Sequence, residues 1–228
     1  MASNKAPRPD SFTIEFFKAC WPIIKADLLN LVRNFHKTKK VLPAINATFL
    51  TLIPKSDQAD SPDKFRPIAL CNVLYKILSK LMASRLKSVL PSIISQEQTG
   101  YVEGRQITDS IILTQEVLHS LKTKRTPGML IQLDLSKAFD KISWHYMRAI
   151  LQAFGFSQQW TNWIMELVSG AFFSMLLNGG PLQPFIPSRG VRQGDPLSLF
   201  LFVDDTMFLG APTVQEVRSK VLKTLSDG

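Results

Sequence analysis

Between Phe12 and Phe35 apolar residues return every three or four positions, a spacing that predicts helix. Pro22 falls where a second helix would begin, because a proline at the first helical position gives up no hydrogen bond. Residues 1–10, polar and proline-bearing, are expected to be mobile, and "HKTKK" (36–40) reads as a basic loop. "NATFLTLIPK" (46–55) is rich in strand formers and closed by Pro54, and "SDQADSPDKFRP" (56–67) reads as a polar connector ending in Lys64 and Arg66. The clearest helix covers 72–90, with Val73, Leu74, Ile77, Leu78, Leu81 and Met82 as its apolar stripe. A loop holding Gly100 and Gly104 leads to a helix over 107–122, and "TKRTPG" (123–128) is a turn and the best internal boundary.

Beyond that turn the period changes. "MLIQLDLS" alternates as a strand, with Met129, Ile131 and Leu133 on one side and Leu130, Gln132 and Asp134 on the other. Ser143 caps a helix ending at Gly155, and Ser157 caps another ending near Gly170. "FFSMLLNGGPLQPFIPSRG" predicts strand, Asn-Gly turn and strand. "FLFVDDTMFLG" (200–210) reads as an apolar hairpin with Asp204 and Asp205 at its tight turn. The expected fold class is α+β, with a mainly helical region over 1–128 and a mixed region over 129–228 that carries the acidic positions.

Composition narrows the partners. The chain has 228 residues, 45% of them hydrophobic, which suits a globular protein with a proper core. Lys and Arg number 27 against 18 Asp and Glu, a net charge of +9, which suits a polyanionic partner. Cys20 and Cys71 show no metal-ligand spacing and read as reduced core residues, and the three histidines form no metal or triad pattern. No stretch resembles a signal peptide or membrane span, so the expectation is a soluble intracellular protein, nuclear or cytoplasmic, without a membrane partner.

Asp134 and the Asp204, Asp205 pair lie where packing alone would not put acids. Unpartnered carboxylates on apolar strands cost several kcal/mol or give up their charge. A multivalent cation removes the conflict, and magnesium takes carboxylate and phosphate oxygens together. Two such ions could activate a hydroxyl and stabilise the leaving oxygen in a phosphoryl transfer. Each site also has a plain structural reading, a turn dipeptide for the pair and a helix cap for Asp134.

"QLDLSKAFDKISW" (132–144), "GVRQGDPLS" (190–198) and "FVDDTMFLG" (202–210) stand in the order of three polymerase palm motifs. They resemble the reverse transcriptases of non-LTR (LINE-type) retrotransposons in the style common in plants. "PDSFTIEFFKACW", "TFLTLIPK", "KFRPIALCNVLYKILSKLMASRL" and "ISQEQTGYVEGRQITDSI" resemble that family's finger-region blocks. The resemblance implies reverse-transcriptase fingers and palm and RNA-directed DNA polymerase activity. RNA template, DNA primer and deoxynucleoside triphosphates would be the partners, with two magnesium ions as cofactors, manganese being possible in their place. By position, Asp134 and Asp204 would be the metal-binding acids and Asp205 the carboxylate beside them. Phe139 would abut the sugar of the incoming nucleotide and exclude a 2′-hydroxyl, or else is core. Gln193 and Gly194 would line the pocket over nucleotide and template. Lys64 and Arg66 would contact the triphosphate and Arg105 the template or a phosphate; each is equally explained as a solvated surface charge.

The chain departs from the family pattern in one region. Nine positions separate Asp195 from Asp204, where the family has several dozen residues including a long palm helix, and Leu199 replaces the usual proline of "PLSP". A parallel connection needs about a dozen residues, so no helix is expected in that gap. The palm is therefore expected to be incomplete, with an internal deletion, the thumb and endonuclease domain absent, and catalysis impaired or replaced by simple nucleic-acid binding.

Overall fold

The computed structural model describes residues 8–94, 100–125, 127 and 137–201. Helix α1 (Ile14–Ala19) starts at Thr13, whose hydroxyl accepts the Phe16 N–H, and α2 (Trp21–Thr38) starts with Pro22 in its first turn. A single turn, α3 (Pro43–Asn46), feeds β1 (Ala47–Pro54). A 3-10 turn at Pro62–Lys64 precedes β2 (Phe65–Cys71), followed by α4 (Val73–Ile93) and α5 (Ile107–Thr123). Next come α6 (Ala138–Lys141), α7 (Trp144–Ala153) and α8 (Gln158–Ser169), the last two capped by Ser143 and Ser157 as expected. Strands β3 (Phe172–Leu177) and β4 (Gly180–Pro181) enclose the Asn178, Gly179 turn, whose residues both have positive φ, the geometry of a type I′ hairpin. Helix α9 (Pro196–Leu201) ends the described chain.

These elements give the mixed α+β architecture. One sheet has the order β2-β1-β3-β4. β1 pairs antiparallel with β2 and parallel with β3, so Thr48 stands opposite both Cys71 and Phe173. All three are buried, which lines up one apolar face of the sheet.

Four expectations need correction. "HKTKK" is a loop only at its end, because α2 runs through His36, Lys37 and Thr38 and stops at Lys39, which is left-handed. Residues 65–71 form a strand, not the end of a connector. Pro67 disguised it, but β2 is the outer strand of the sheet, where a missing N–H costs no ladder bond. The apolar stripe of α4 is turned relative to the expected one. Tyr75, Leu78, Met82, Leu86 and Leu90 are buried, whereas Leu81 is 44% exposed and Leu74 and Ile77 are half-buried. Apolar residues run round much of this helix, and the face with Tyr75 wins because its hydroxyl reaches the Leu167 carbonyl (3.5 Å). Finally, the gap between Asp195 and Asp204 does hold a helix, α9, and it takes in Phe200 and Leu201 of the expected hairpin. Asp195, Pro196 and Ser198 supply the start signal that overrides the apolar run. The strand expected over 129–134 and the acidic hairpin at 204–205 lie outside the described residues.

Of the described residues, those within 1–84 and 139–199 make one compact unit and those within 85–138 and 200–228 another. The first contains the sheet, and its most deeply buried side chains include Tyr75, Leu78, Met147, Leu151, Ile164 and Leu167. The second contains the last turns of α4 and the whole of α5. There Lys87 pairs with Glu103 (2.8 Å) and Arg105 donates to the carbonyls of Pro91 (3.4 Å) and Ile94 (3.1 Å), closing the carboxyl end of α4.

Candidate functional site

The first unit brings residues 139–144 against the segment holding Gln193. The Val191 N–H donates to the Phe139 carbonyl (2.8 Å), the Gly190 N–H to the Ile142 carbonyl (2.7 Å), and Trp144 Nε1 to the Gly190 carbonyl (2.8 Å). Gly190 has φ of +88°, and a Cβ there would sit 2.9 Å from the Asp140 carbonyl oxygen and 3.0 Å from that of Phe139. Only glycine allows so close an approach. Two residues on, the Ala69 N–H donates to the Gln193 carbonyl (2.9 Å). Residues 190–193 thus run between α6 and the outer edge of β2, held to each by main-chain bonds.

Gln193 is half-buried and Gly194 is exposed, while their neighbours Arg192 and Asp195 are 4% and 1% exposed. The charged residues point inward and the pair between them outward. Asp195 caps α9. It accepts from Ser198 N (3.1 Å), Ser198 Oγ (3.0 Å) and, across to α4, Ser79 Oγ (2.6 Å). The Ser79 oxygen in turn accepts from Leu197 N (3.1 Å), so α4 and α9 share a closed polar circuit. Gly194 has φ of +92°, but a Cβ there would make only ordinary contacts, 3.7 Å to the Ala69 carbonyl oxygen. Within the protein its backbone angle, rather than space, calls for glycine.

A cavity of about 180 Å³ lies beside this segment, lined by Leu50, Pro67, Val168, Phe173, Asp140 and residues 189–193 among others. Burial pushes the Tyr75 hydroxyl well above its usual range, against the opposing pull of the Arg192 charge, and also pushes the Cys71 thiol up.

The residues singled out from sequence divide by location. Phe139, Gln193 and Gly194 stand on the adjoining segments just described. Arg66 is exposed on β2, opposite Ile53. Lys64 pairs with Asp60 (2.9 Å), and this contact holds the Asp60 carboxyl below its usual range. Arg105 lies in the second unit at the end of α4. Asp134, Asp204 and Asp205 lie outside the described residues, and among the described residues no three His, Cys, Asp or Glu side chains gather as a metal site. No described helix is long and apolar enough to cross a membrane. Arg192, Ser79 and Asn46 went unremarked in the sequence, and Asp195 was noted there only as the edge of the short gap before Asp204. The signal for Asp195 was present in "DPLS", an N-cap followed by proline and a serine two residues later.

Residues 53–209 match the family described as reverse transcriptase (RNA-dependent DNA polymerase). The chain belongs to the reverse transcriptase family. It is 32% identical over 198 residues to the transposon TX1 uncharacterized 149 kDa protein of Xenopus laevis, covering 87% of this chain and 15% of that protein. It is 30% identical over 221 residues to the Pol polyprotein of the retrotransposable element R2DM of Drosophila melanogaster, covering 96% of this chain and 20% of that one. An R2 element Pol polyprotein of Popillia japonica is 29% identical over 177 residues, 75% of this chain and 25% of its own length. This reverse transcriptase chain thus spans a quarter or less of these relatives. The resemblance to reverse transcriptases of non-LTR retrotransposons is borne out at the level of the family.

Proposed function

We propose that this chain is the nucleotide- and template-contacting part of an RNA-directed DNA polymerase, with reduced catalytic power. The observation that carries the reading is the lacing of Phe139 and Val191, which sets Phe139, a few residues after the expected catalytic Asp134 in sequence, next to the segment presenting Gln193 and Gly194. Phe139 would meet the sugar of a deoxynucleotide, and Gln193 and Gly194 the nucleotide and template base. Arg66, exposed on β2, the strand whose Ala69 N–H binds the Gln193 carbonyl, and Lys64, once released from Asp60, would meet the triphosphate, where fixed cations offset developing charge. Arg105 would contact template phosphate. Asp134 and Asp204, with Asp205 adjacent in sequence, would supply hard oxygen donors suited to magnesium, which when bound would stabilise charge developing on the phosphoryl oxygens as a Lewis acid. In the reaction the primer 3′-hydroxyl attacks the α-phosphorus and pyrophosphate leaves.

The test is primer extension on an RNA template with deoxynucleotides and magnesium or manganese. Short products, absent from Asp134→Ala, are the expected result. No product under any metal would reject catalysis.

A second reading is favoured by one feature. Helix α9 reaches Leu201, leaving only Phe202 and Val203 before Asp204. Where the family pattern has a long connection, so short a join would keep the acids from a shared site and leave a nucleic-acid-binding remnant. That reading predicts salt-dependent RNA binding that survives Asp204→Ala, because counterion release needs no metal ligands.

A further inference from the structure

Arg192 is an expensive residue for the place it holds. Its side chain is buried, and it forms no ion pair among the described residues. Its Nε and Nη1 have no hydrogen-bond partner there. Nη2 donates to the side-chain oxygen of Asn46, at the end of α3, and reaches the Asn46 carbonyl at 3.5 Å. The guanidinium carbon lies 4.0 Å from the centroid of the Tyr75 ring on α4 and 5.7 Å from that of Phe173 on β3. Ring faces recover part of the lost hydration, but an apolar side chain of similar length would cost less in a site chosen for packing alone.

What the arginine alone provides is three-way anchorage. A single planar group fastens residue 192 to α3, α4 and β3 at once, immediately before the outward-facing Gln193 and Gly194. Asp195 fastens the chain to α4 immediately after them. Between these anchors the pair is tied to the sheet by the bond from Ala69 N–H to the Gln193 carbonyl. We propose that Arg192 is a positioning residue, whose buried guanidinium sets the height and register of Gln193 and Gly194 over the edge of β2 and thereby the fit of the incoming nucleotide. This rests on the reading of that pair as nucleotide contacts. A methionine would fill the same space without the bond to Asn46, and the segment would drift while the core stayed packed. A lysine would keep the charge but lacks the flat face that lies on Tyr75.

The test compares wild type, Arg192→Met and Arg192→Lys by amide hydrogen exchange and by steady-state nucleotide addition. In Arg192→Met the Ala69 amide is expected to exchange about tenfold faster, with the β1–β2 ladder amides unchanged as internal reference. KM for the deoxynucleotide is expected to rise about tenfold with kcat within about twofold, because ground-state placement rather than chemistry is disturbed. Arg192→Lys should show a smaller change of the same kind, and it carries the test if the methionine variant does not fold. Wild-type exchange at Ala69 in the folded variants overturns the proposal, as does a KM that rises with no change at Ala69. Faster exchange in a chain whose wild type extends no primer upholds the positioning role and rejects the polymerase reading.

Discussion

Replacing Asp195 by alanine tests whether the polar circuit between α4 and α9 is closed and dry. The carboxylate accepts hydrogen bonds from Ser79 Oγ, Ser198 N and Ser198 Oγ, among others, and is almost fully buried. Losing the cap on α9 costs about 1 kcal/mol. Stranding the Ser79 hydroxyl, itself fully buried, adds about 1–3 kcal/mol, and Ser198 loses its own partner. The expected loss is about 3–5 kcal/mol. Asn in the same place keeps an acceptor for the Ser198 N–H but turns an amide toward a donor, and about 1–2 kcal/mol should go. Urea unfolding followed by tryptophan fluorescence measures this cleanly, since Trp21, Trp144, Trp160 and Trp163 all fall in the first unit. The change should appear in the midpoint with the slope unaltered. A loss below about 1 kcal/mol for the alanine variant would mean that water reaches the circuit, and the argument from burial would fail.

Gly190→Ala should cost about 3 kcal/mol or more, read by the same unfolding curve, because a methyl group would press on two carbonyl oxygens at a positive φ. Gly194→Ala, with the same kind of φ but open space, should cost only about 1 kcal/mol. Burial raises the Cys71 thiol above its ordinary value of 9.0, so the folded chain keeps that proton where the unfolded chain sheds it. Stability should therefore be full below about pH 9 and decline as pH rises, with Tyr75 adding to the fall above its ordinary 10.0. A stability titration should show a shallower alkaline slope in Cys71→Ala than in wild type, whatever the baseline of that variant.

Much of the fold was legible because the local signals agree with one another. Pro22, Ser143, Ser157 and the Asn178, Gly179 turn each mark a boundary by backbone chemistry, and the helices and hairpin stand there. β2 was hidden because proline and flanking charges look the same in a connector and in an edge strand, and only the sheet order separates them. The inward face of α4 was ambiguous by about one residue, a choice made by the Leu167 carbonyl from a distant helix. In the candidate site, Gln193 and Gly194 were found through the family motif, while their anchors were not. Arg192 reads in sequence as one more surface cation in a basic chain, and its burial depends on Asn46 and Tyr75, far away along the chain. The lacing of 190–191 to Phe139 and Ile142 is likewise a long-range backbone match, which periodicity does not encode.

In the proposed polymerase reading, Phe139, Gln193 and Gly194 form the face that receives a nucleotide. Photolabelling reaches it most directly: an azido-substituted deoxyadenosine triphosphate, irradiated with the chain, primed RNA and magnesium, followed by peptide mapping. The expected result is label on the peptides containing Phe139 or Gln193, displaced by unmodified deoxynucleotide and weakened in Arg192→Met. Label confined to other peptides, or undiminished by competing deoxynucleotide, would show that the nucleotide does not bind at this face.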